Sequence, residues 1–292
     1  MIATHTQRRS RPEANIAESF QTDAVPVETG RAYPPSPPAR QIAVLGASNV
    51  AYERRELAAT AAGIAAQTGP TELFVAGGYG RSFVRWSYVG ALGRTPLPKS
   101  GLVRDLLLRP AAPDRTALVT DIGNDLFYGH DVPEIVEAVD RLLARLGEAG
   151  CRTAITALPV GRVERVPTWA YHALHRFLYP GVAVRPWADM RDCVRRLDDA
   201  VARLADRHDA TLVPQRDDWY GFDPIHRRVS ARPAFWRAVA DAWGDPAPTG
   251  EHGLPGAPPI RVDRPARGKW FGRRFCTATP PTKDEPVRVR VY

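Results

Sequence analysis

Along this chain, short apolar runs alternate with longer stretches in which apolar residues recur every three or four positions. The runs Gln41–Leu45, Glu72–Ala76, Thr116–Ile122, Thr153–Leu158, Val182–Arg185 and Thr211–Val213 are rich in β-branched and aliphatic residues, as buried strands are. Between them the helical period is clearest in two places. Ile135, Val136, Val139, Leu142, Leu143 and Leu146 predict a helix over 133–147, with Pro133 at its start and Gly150 past its end. Met190, Val194, Leu197, Val201 and Leu204 predict another over 189–208. Further helices are expected over 49–67, from about residue 101, over 169–179 and over 231–243. Strands and helices alternating at this interval predict a parallel sheet covered on both faces.

The pattern stops at both ends. Residues 1–40 mix Pro, Ser, Thr and charge without period and predict a disordered leader. Residues 247–292 turn to Pro, Gly, Arg and Thr, which predicts a tail outside a domain spanning 41–246. The formal net charge of +8 is uneven: the tail contributes +5, the leader +1 and the domain +2. A nucleic-acid partner is therefore not expected of the domain. The argument for one would rest on residues 261–275, where Trp270, Phe271 and Phe275 sit among Arg267, Lys269, Arg273 and Arg274. Packing of those rings on their own domain is the alternative. No segment reaches the roughly 18 consecutive apolar residues of a membrane span, and the first 40 lack the apolar centre of a signal peptide, so a cytoplasmic location is expected. Cys151, Cys193 and Cys276 are far apart and form no Cys-x-x-Cys, predicting neither a zinc site nor a disulfide framework. Oligomeric state has no signature in the sequence.

The candidate chemistry sits where strands end. Ile42-Ala-Val-Leu-Gly-Ala-Ser48-Asn49 reads as a strand turning tightly into a helix, with Ser48 at the carboxyl edge of the sheet. Three more polar loops follow strands: Gly77-Gly-Tyr-Gly80-Arg-Ser82, Gly123-Asn124-Asp125 and Asp223-Pro-Ile-His226. In a parallel sheet all four emerge at one edge. Together they could perform acyl transfer. A serine hydroxyl needs a base, a histidine suits that work near neutral pH, and a carboxylate on its second nitrogen fixes the tautomer. The backbone N–H groups of Ser48 and Gly80 and the side-chain amide of Asn124 would supply three donors to an oxyanion. Each residue also has a structural alternative. Ser48 suits a helix cap, Asn124 a left-handed turn, Asp223 a turn before Pro224 and His226 a surface loop. His130, His172, His175, His208 and His252 fit no catalytic or metal spacing. Arg81, Arg85, Trp86, Phe127 and Tyr128 follow the site loops and are candidates for lining a pocket or packing the core.

These four blocks, in this order, resemble the SGNH (GDSL-type) hydrolases over Gln41 to Trp243, excluding both tails. The resemblance implies a flavodoxin-like three-layer α/β/α fold and hydrolysis of a lipid, carbohydrate or small acyl ester without metal or organic cofactor. It implies Ser48 as nucleophile, His226 as base, Asp223 as its partner, and Ser48, Gly80 and Asn124 as oxyanion donors. Ala47 stands where the family usually has Asp, which removes a polar partner beside the nucleophile. The last block commonly reads Asp-Gly-x-His-Pro but here is Asp223-Pro-Ile-His226-Arg227, and Gly77 and Gly78 compete with Gly80. An acyltransferase on the same site and a binding or scaffold protein on a catalytically weakened fold are alternative readings. Nucleotide binding at the Gly-Ala-Ser turn is disfavoured, because no G-x-G-x-x-G or G-x-x-x-x-G-K-[ST] pattern accompanies it.

Overall fold

A computed structural model describes residues 38–89, 92–178, 181–245, 267–270, 273–276 and 287–292. In chain order the elements are β1 Arg40–Leu45, α1 Ser48–Tyr52, α2 Arg54–Thr68, β2 Thr71–Ala76, β3 Ser87–Val89 and β4 Leu92–Arg94. There follow α3 Leu102–Leu108, β5 Asp114–Val119, α4 Asn124–Phe127, α5 Val132–Glu148, β6 Arg152–Thr156, α6 Val160–Glu164 and α7 Thr168–Leu178. The series closes with α8 Trp187–Arg207, β7 Thr211–Val213, α9 Arg232–Ala242, β8 Arg267–Trp270, β9 Arg273–Cys276 and β10 Val287–Val291.

Six strands form one parallel sheet in the order β10-β2-β1-β5-β6-β7. Without β10 this is the flavodoxin-like order, which reverses direction at β1 and leaves a crevice beyond the carboxyl ends of β1 and β5. Side-chain alternation along β1 divides the core. Ile42 and Val44 face Leu57, Ala61 and Ile64 of α2 and Phe235, Trp236 and Val239 of α9. Ala43 and Leu45 face the opposite layer, built from Leu102 and Leu106 of α3, Ile135, Val139 and Leu142 of α5, and Leu197, Val201 and Leu204 of α8. The fold is thus the three-layer α/β/α arrangement expected. Burying each such side chain contributes about 1.5–3 kcal/mol, which is why the two most strongly periodic segments became the longest helices. Pro133 lies in the first turn of α5, where the Glu134 carboxylate accepts the Asp131 N–H at 3.3 Å.

The structure corrects four expectations. The single helix over 49–67 breaks at Glu53, whose carboxylate is drawn into the core by Arg227 and Trp236. Residues 182–185 form no strand, because β6 pairs directly with β7 and the segment instead leads into Pro186 at the start of α8. Between β2 and α3, where the sequence pattern predicts no strand, β3 and β4 pair as an antiparallel hairpin, extended by β8 and β9 into a four-stranded sheet. Finally, the domain does not stop at residue 246. β10 pairs in parallel with β2, its Val287 and Val291 joining the core on the α2 face and Tyr292 stacking on Phe74 on the other.

Residues 1–37 of the expected leader lie outside the described residues, while Arg40 is buried in β1. Most of the basic, aromatic stretch 261–275 also lies outside them, apart from the backbone of β8 and of the first residues of β9. No helix among the described residues is long and apolar enough to cross a membrane.

Candidate active site

Gly46 ends β1 because nothing larger fits. A Cβ there would lie 2.6 Å from both Thr120 Cγ2 and Val50 Cγ2. The chain therefore passes tightly under the end of β5 and turns into α1, making Ser48 the first residue of that helix. Ser48 is buried except for a small opening. Its backbone N–H, in the first helical turn, has no partner within the helix.

The histidine arrives from the far edge of the sheet. After β7 the chain closes a loop through the Tyr220↔Arg227 bridge and the Arg228 N–H to Trp219 C=O bond of 2.8 Å. At its tip His226 Nε2 lies 2.9 Å from Ser48 Oγ, and His226 Nδ1 lies 2.5 Å from Asp223 Oδ2. The other Asp223 oxygen accepts the Ile225 N–H at 2.7 Å. Burial pushes the Asp223 carboxyl up, but the hydrogen bond and charge of His226 and two backbone N–H groups outweigh it and hold the group below its ordinary value. The Tyr52 and His226 rings stand nearly perpendicular, at 87°, with 5.1 Å between their centres.

The glycine loop after β2 is tied to the serine turn by the Gly78 N–H to Ala47 C=O bond of 3.2 Å. Gly80 has φ +68°, a conformation that glycine adopts without steric cost. Gly77 and Gly78, its sequence competitors, are packed against Val50 and Arg94 respectively, where a Cβ would collide. Asn124 opens α4 after β5, and its backbone N–H bonds the Asp121 carbonyl at 3.2 Å. The Ser48 N–H, the Gly80 N–H and the Asn124 side-chain amide donate to no other described residue. All five residues singled out from the sequence thus come from loops at one edge of the sheet, with Ser48, His226 and Asp223 in direct contact.

Other expectations sort differently. Arg81 is fully buried and donates to the carbonyls of Gly77, Thr95 and Tyr292, so it braces the glycine loop from within the core. Burial and the neighbouring Arg94 push its pKa down to about 9. Asp125, buried, bonds the Ser82 hydroxyl and, at 3.0 Å, the Phe83 N–H, stapling the second and third blocks together. Arg85 bonds His130 at 2.8 Å. Phe127 lines a cavity beside Asn124, with Asp121, Leu158, Val163 and Ile225 among its other walls. Among the described residues no group of His, Cys, Asp and Glu is arranged to hold a metal ion.

Four residues escaped the sequence reading. Asn49 grips both sides of the histidine: Nδ2 donates to the Ile225 carbonyl at 2.9 Å and Oδ1 accepts the Arg227 N–H at 3.1 Å. Arg227 binds Glu53 through two hydrogen bonds of 2.7 and 3.0 Å while its guanidinium lies 3.6 Å from the centre of the Phe235 ring. Burial works to lower the Arg227 pKa, yet Glu53 holds it above its ordinary value, so the guanidinium is charged. Asp121 accepts the backbone N–H groups of Ala47 and Asn49 at 2.8 and 3.2 Å, and the Asn49 side chain at 2.8 Å. A hydrophobic pattern cannot find such residues, because their partners lie far away in sequence; only the adjacency of Asn49 to Ser48 and of Arg227 to His226 marks two of them.

No protein-family model and no curated protein matches the chain. Among solved structures, several are similar to part of the chain. A carbohydrate acetylesterase from Sinorhizobium meliloti is 16% identical with a TM-score of 0.49, the match covering 69% of this chain and 97% of that one. An inhibitor-bound aryl esterase from M. smegmatis is 13% identical with a TM-score of 0.49, covering 69% and 97%. A putative GDSL-like lipase from Parabacteroides merdae is 14% identical with a TM-score of 0.44, covering 71% and 96%. Esterases and a GDSL-like lipase are therefore among the solved structures to which this chain is similar.

Proposed function

We propose that the chain is a serine ester hydrolase of the SGNH type. The observation that carries this reading is the hydrogen-bonded series Ser48 Oγ, His226, Asp223, with 2.9 and 2.5 Å between successive heavy atoms. In the proposed reaction Ser48 Oγ attacks the ester carbonyl carbon as His226 Nε2 takes the hydroxyl proton. Asp223 holds the imidazole in the tautomer with its proton on Nδ1 and stabilises the imidazolium that forms. Negative charge develops on the former carbonyl oxygen, where the N–H groups of Ser48 and Gly80 and the Asn124 amide act as donors. Each such donor is worth about 2.7–4 kcal/mol in the transition state. His226 then gives its proton to the departing alcohol, leaving Ser48 acylated. A water molecule, deprotonated by the same histidine, releases the acid and regenerates the serine.

The test is hydrolysis of 4-nitrophenyl acetate by the purified protein. Wild type is expected to turn it over, and Ser48→Ala is expected to abolish turnover while leaving the circular dichroism unchanged. Equal rates for the two proteins would overturn the reading.

A further inference from the structure

The nucleophile turn lacks the acid that the SGNH pattern puts at position 47, and Ala47 is completely buried. Yet a carboxylate stands at the turn. It comes from Asp121, at the end of β5, 74 residues further along the chain. We propose that Asp121 is a positioning residue that aims the Ser48 N–H and the Asn124 amide at one point, taking over the task of the missing acid. This role rests on the reading of Ser48 as nucleophile.

The geometry is specific. Asp121 Oδ2 accepts the N–H groups of Ala47 at 2.8 Å and Asn49 at 3.2 Å, the residues on either side of Ser48. With both neighbours engaged, the peptide carrying the Ser48 N–H is held at each end, and that N–H is left for a ligand. The carboxylate packs directly over the turn: a Cβ on Gly46 would lie in ordinary contact with Asp121 Oδ2, at 3.4 Å. Asp121 Oδ1 accepts Asn49 Nδ2 at 2.8 Å, and Asn49 in turn holds the backbone beside His226. Its carbonyl accepts the Asn124 N–H at 3.2 Å, fixing the turn that carries the third donor. One residue therefore joins the serine turn, the asparagine turn and the histidine loop.

Asp121 pays for this with its backbone. Its φ of +68° makes it one of two non-glycine residues with positive φ among the described residues. Such conformations persist where the surroundings over-determine them, and they cluster at functional sites. A carboxylate beside an oxyanion site would repel the developing charge. Here three N–H donors occupy it, and the buried charged guanidinium of Arg227 is close enough to feel its field.

The left-handed backbone makes a clean test possible, because glycine and asparagine both tolerate it. Asp121→Gly removes the carboxylate and Asp121→Asn keeps one acceptor oxygen without the charge. With 4-nitrophenyl acetate, kcat per folded molecule is expected to fall about 100-fold in Asp121→Gly, the cost of a small misplacement at a reacting centre, and by less in Asp121→Asn. KM should stay within about threefold, and fluorophosphonate labelling of Ser48 should slow in the same order. Should Asp121→Gly fail to fold, Asp121→Asn carries the test alone. A lowered melting temperature with unchanged kcat per folded molecule would make Asp121 merely structural and overturn the proposal. Ser48→Ala measured alongside separates the two failures. If it stays active, the proposed function falls and this role with it; if it is inactive while the Asp121 variants are unaffected, only the role of Asp121 falls.

Discussion

His226 Nε2 sits 2.9 Å from Ser48 Oγ although 178 residues separate the two in the chain. Sheet order explains the meeting. β1 delivers the serine to the crevice, while the loop after β7, at the opposite edge from β10, has to reach back across β6 and β5. The Asn49 clasp and the Glu53–Arg227 pair hold the loop in that reach.

The series makes a graded prediction for its far end. Asp223→Asn leaves the shape of the loop but removes the charge and offers the wrong group to Nδ1. On the proposed mechanism kcat should fall by about 10⁴ with KM little changed. Steady-state kinetics on a chromogenic ester would measure this, and a loss below tenfold would take Asp223 out of its role.

Stability should follow the same carboxylate. Asp223 is held below its ordinary value of 3.8, chiefly by His226 acting against burial. A depressed folded-state pKa adds stability that is present above the unfolded value and is lost as pH falls through the folded one. The urea midpoint of wild type should therefore exceed that of Asp223→Asn near neutral pH, with the gap closing below pH 3.8. A gap that widens in acid would contradict the assignment.

The buried pair behind the histidine gives a stability prediction of a different size. Glu53 and Arg227 are both excluded from solvent, with side-chain exposures of 0% and 2%. Arg227→Met leaves the Glu53 carboxylate without its partner, which should cost about 3–5 kcal/mol. Denaturant unfolding of the variant, compared with Glu53→Gln/Arg227→Met, would show whether the double replacement recovers part of the loss.

Gly46 offers a local check on the serine turn. With contacts of 2.6 Å to Thr120 and Val50 awaiting any Cβ, Gly46→Ala should destabilise by about 1–3 kcal/mol through overpacking. Activity should fall further than unfolding explains, because Ser48 is two residues away. A variant as stable and active as wild type would mean the turn is looser than described.

Much of this was legible in the sequence. Strand–helix alternation was enough to place Ser48, Gly80, Asn124, Asp223 and His226 at one sheet edge, since in a parallel sheet the carboxyl ends coincide. What escaped were features whose cause lies across the chain. Glu53 breaks a helix that its local sequence would continue, because Arg227 and Trp236 hold its carboxylate. Asp121 looked like the end of a strand, yet it takes a left-handed turn to reach Ala47 and Asn49. Val287-Arg-Val-Arg-Val291 did carry a signal, the strict alternation of an edge strand, which its charge and the Pro-rich stretch before it obscured.

The most direct measurement is covalent labelling of the purified protein with a fluorophosphonate, followed by mass-spectrometric mapping of the adduct and with Ser48→Ala as control. An activated serine attacks the phosphorus, expels fluoride and keeps the phosphonyl group, whereas an ordinary hydroxyl does not react. The account predicts a single adduct on Ser48 that the variant lacks. No adduct under conditions that label known serine esterases, or an adduct that persists in Ser48→Ala, would contradict it.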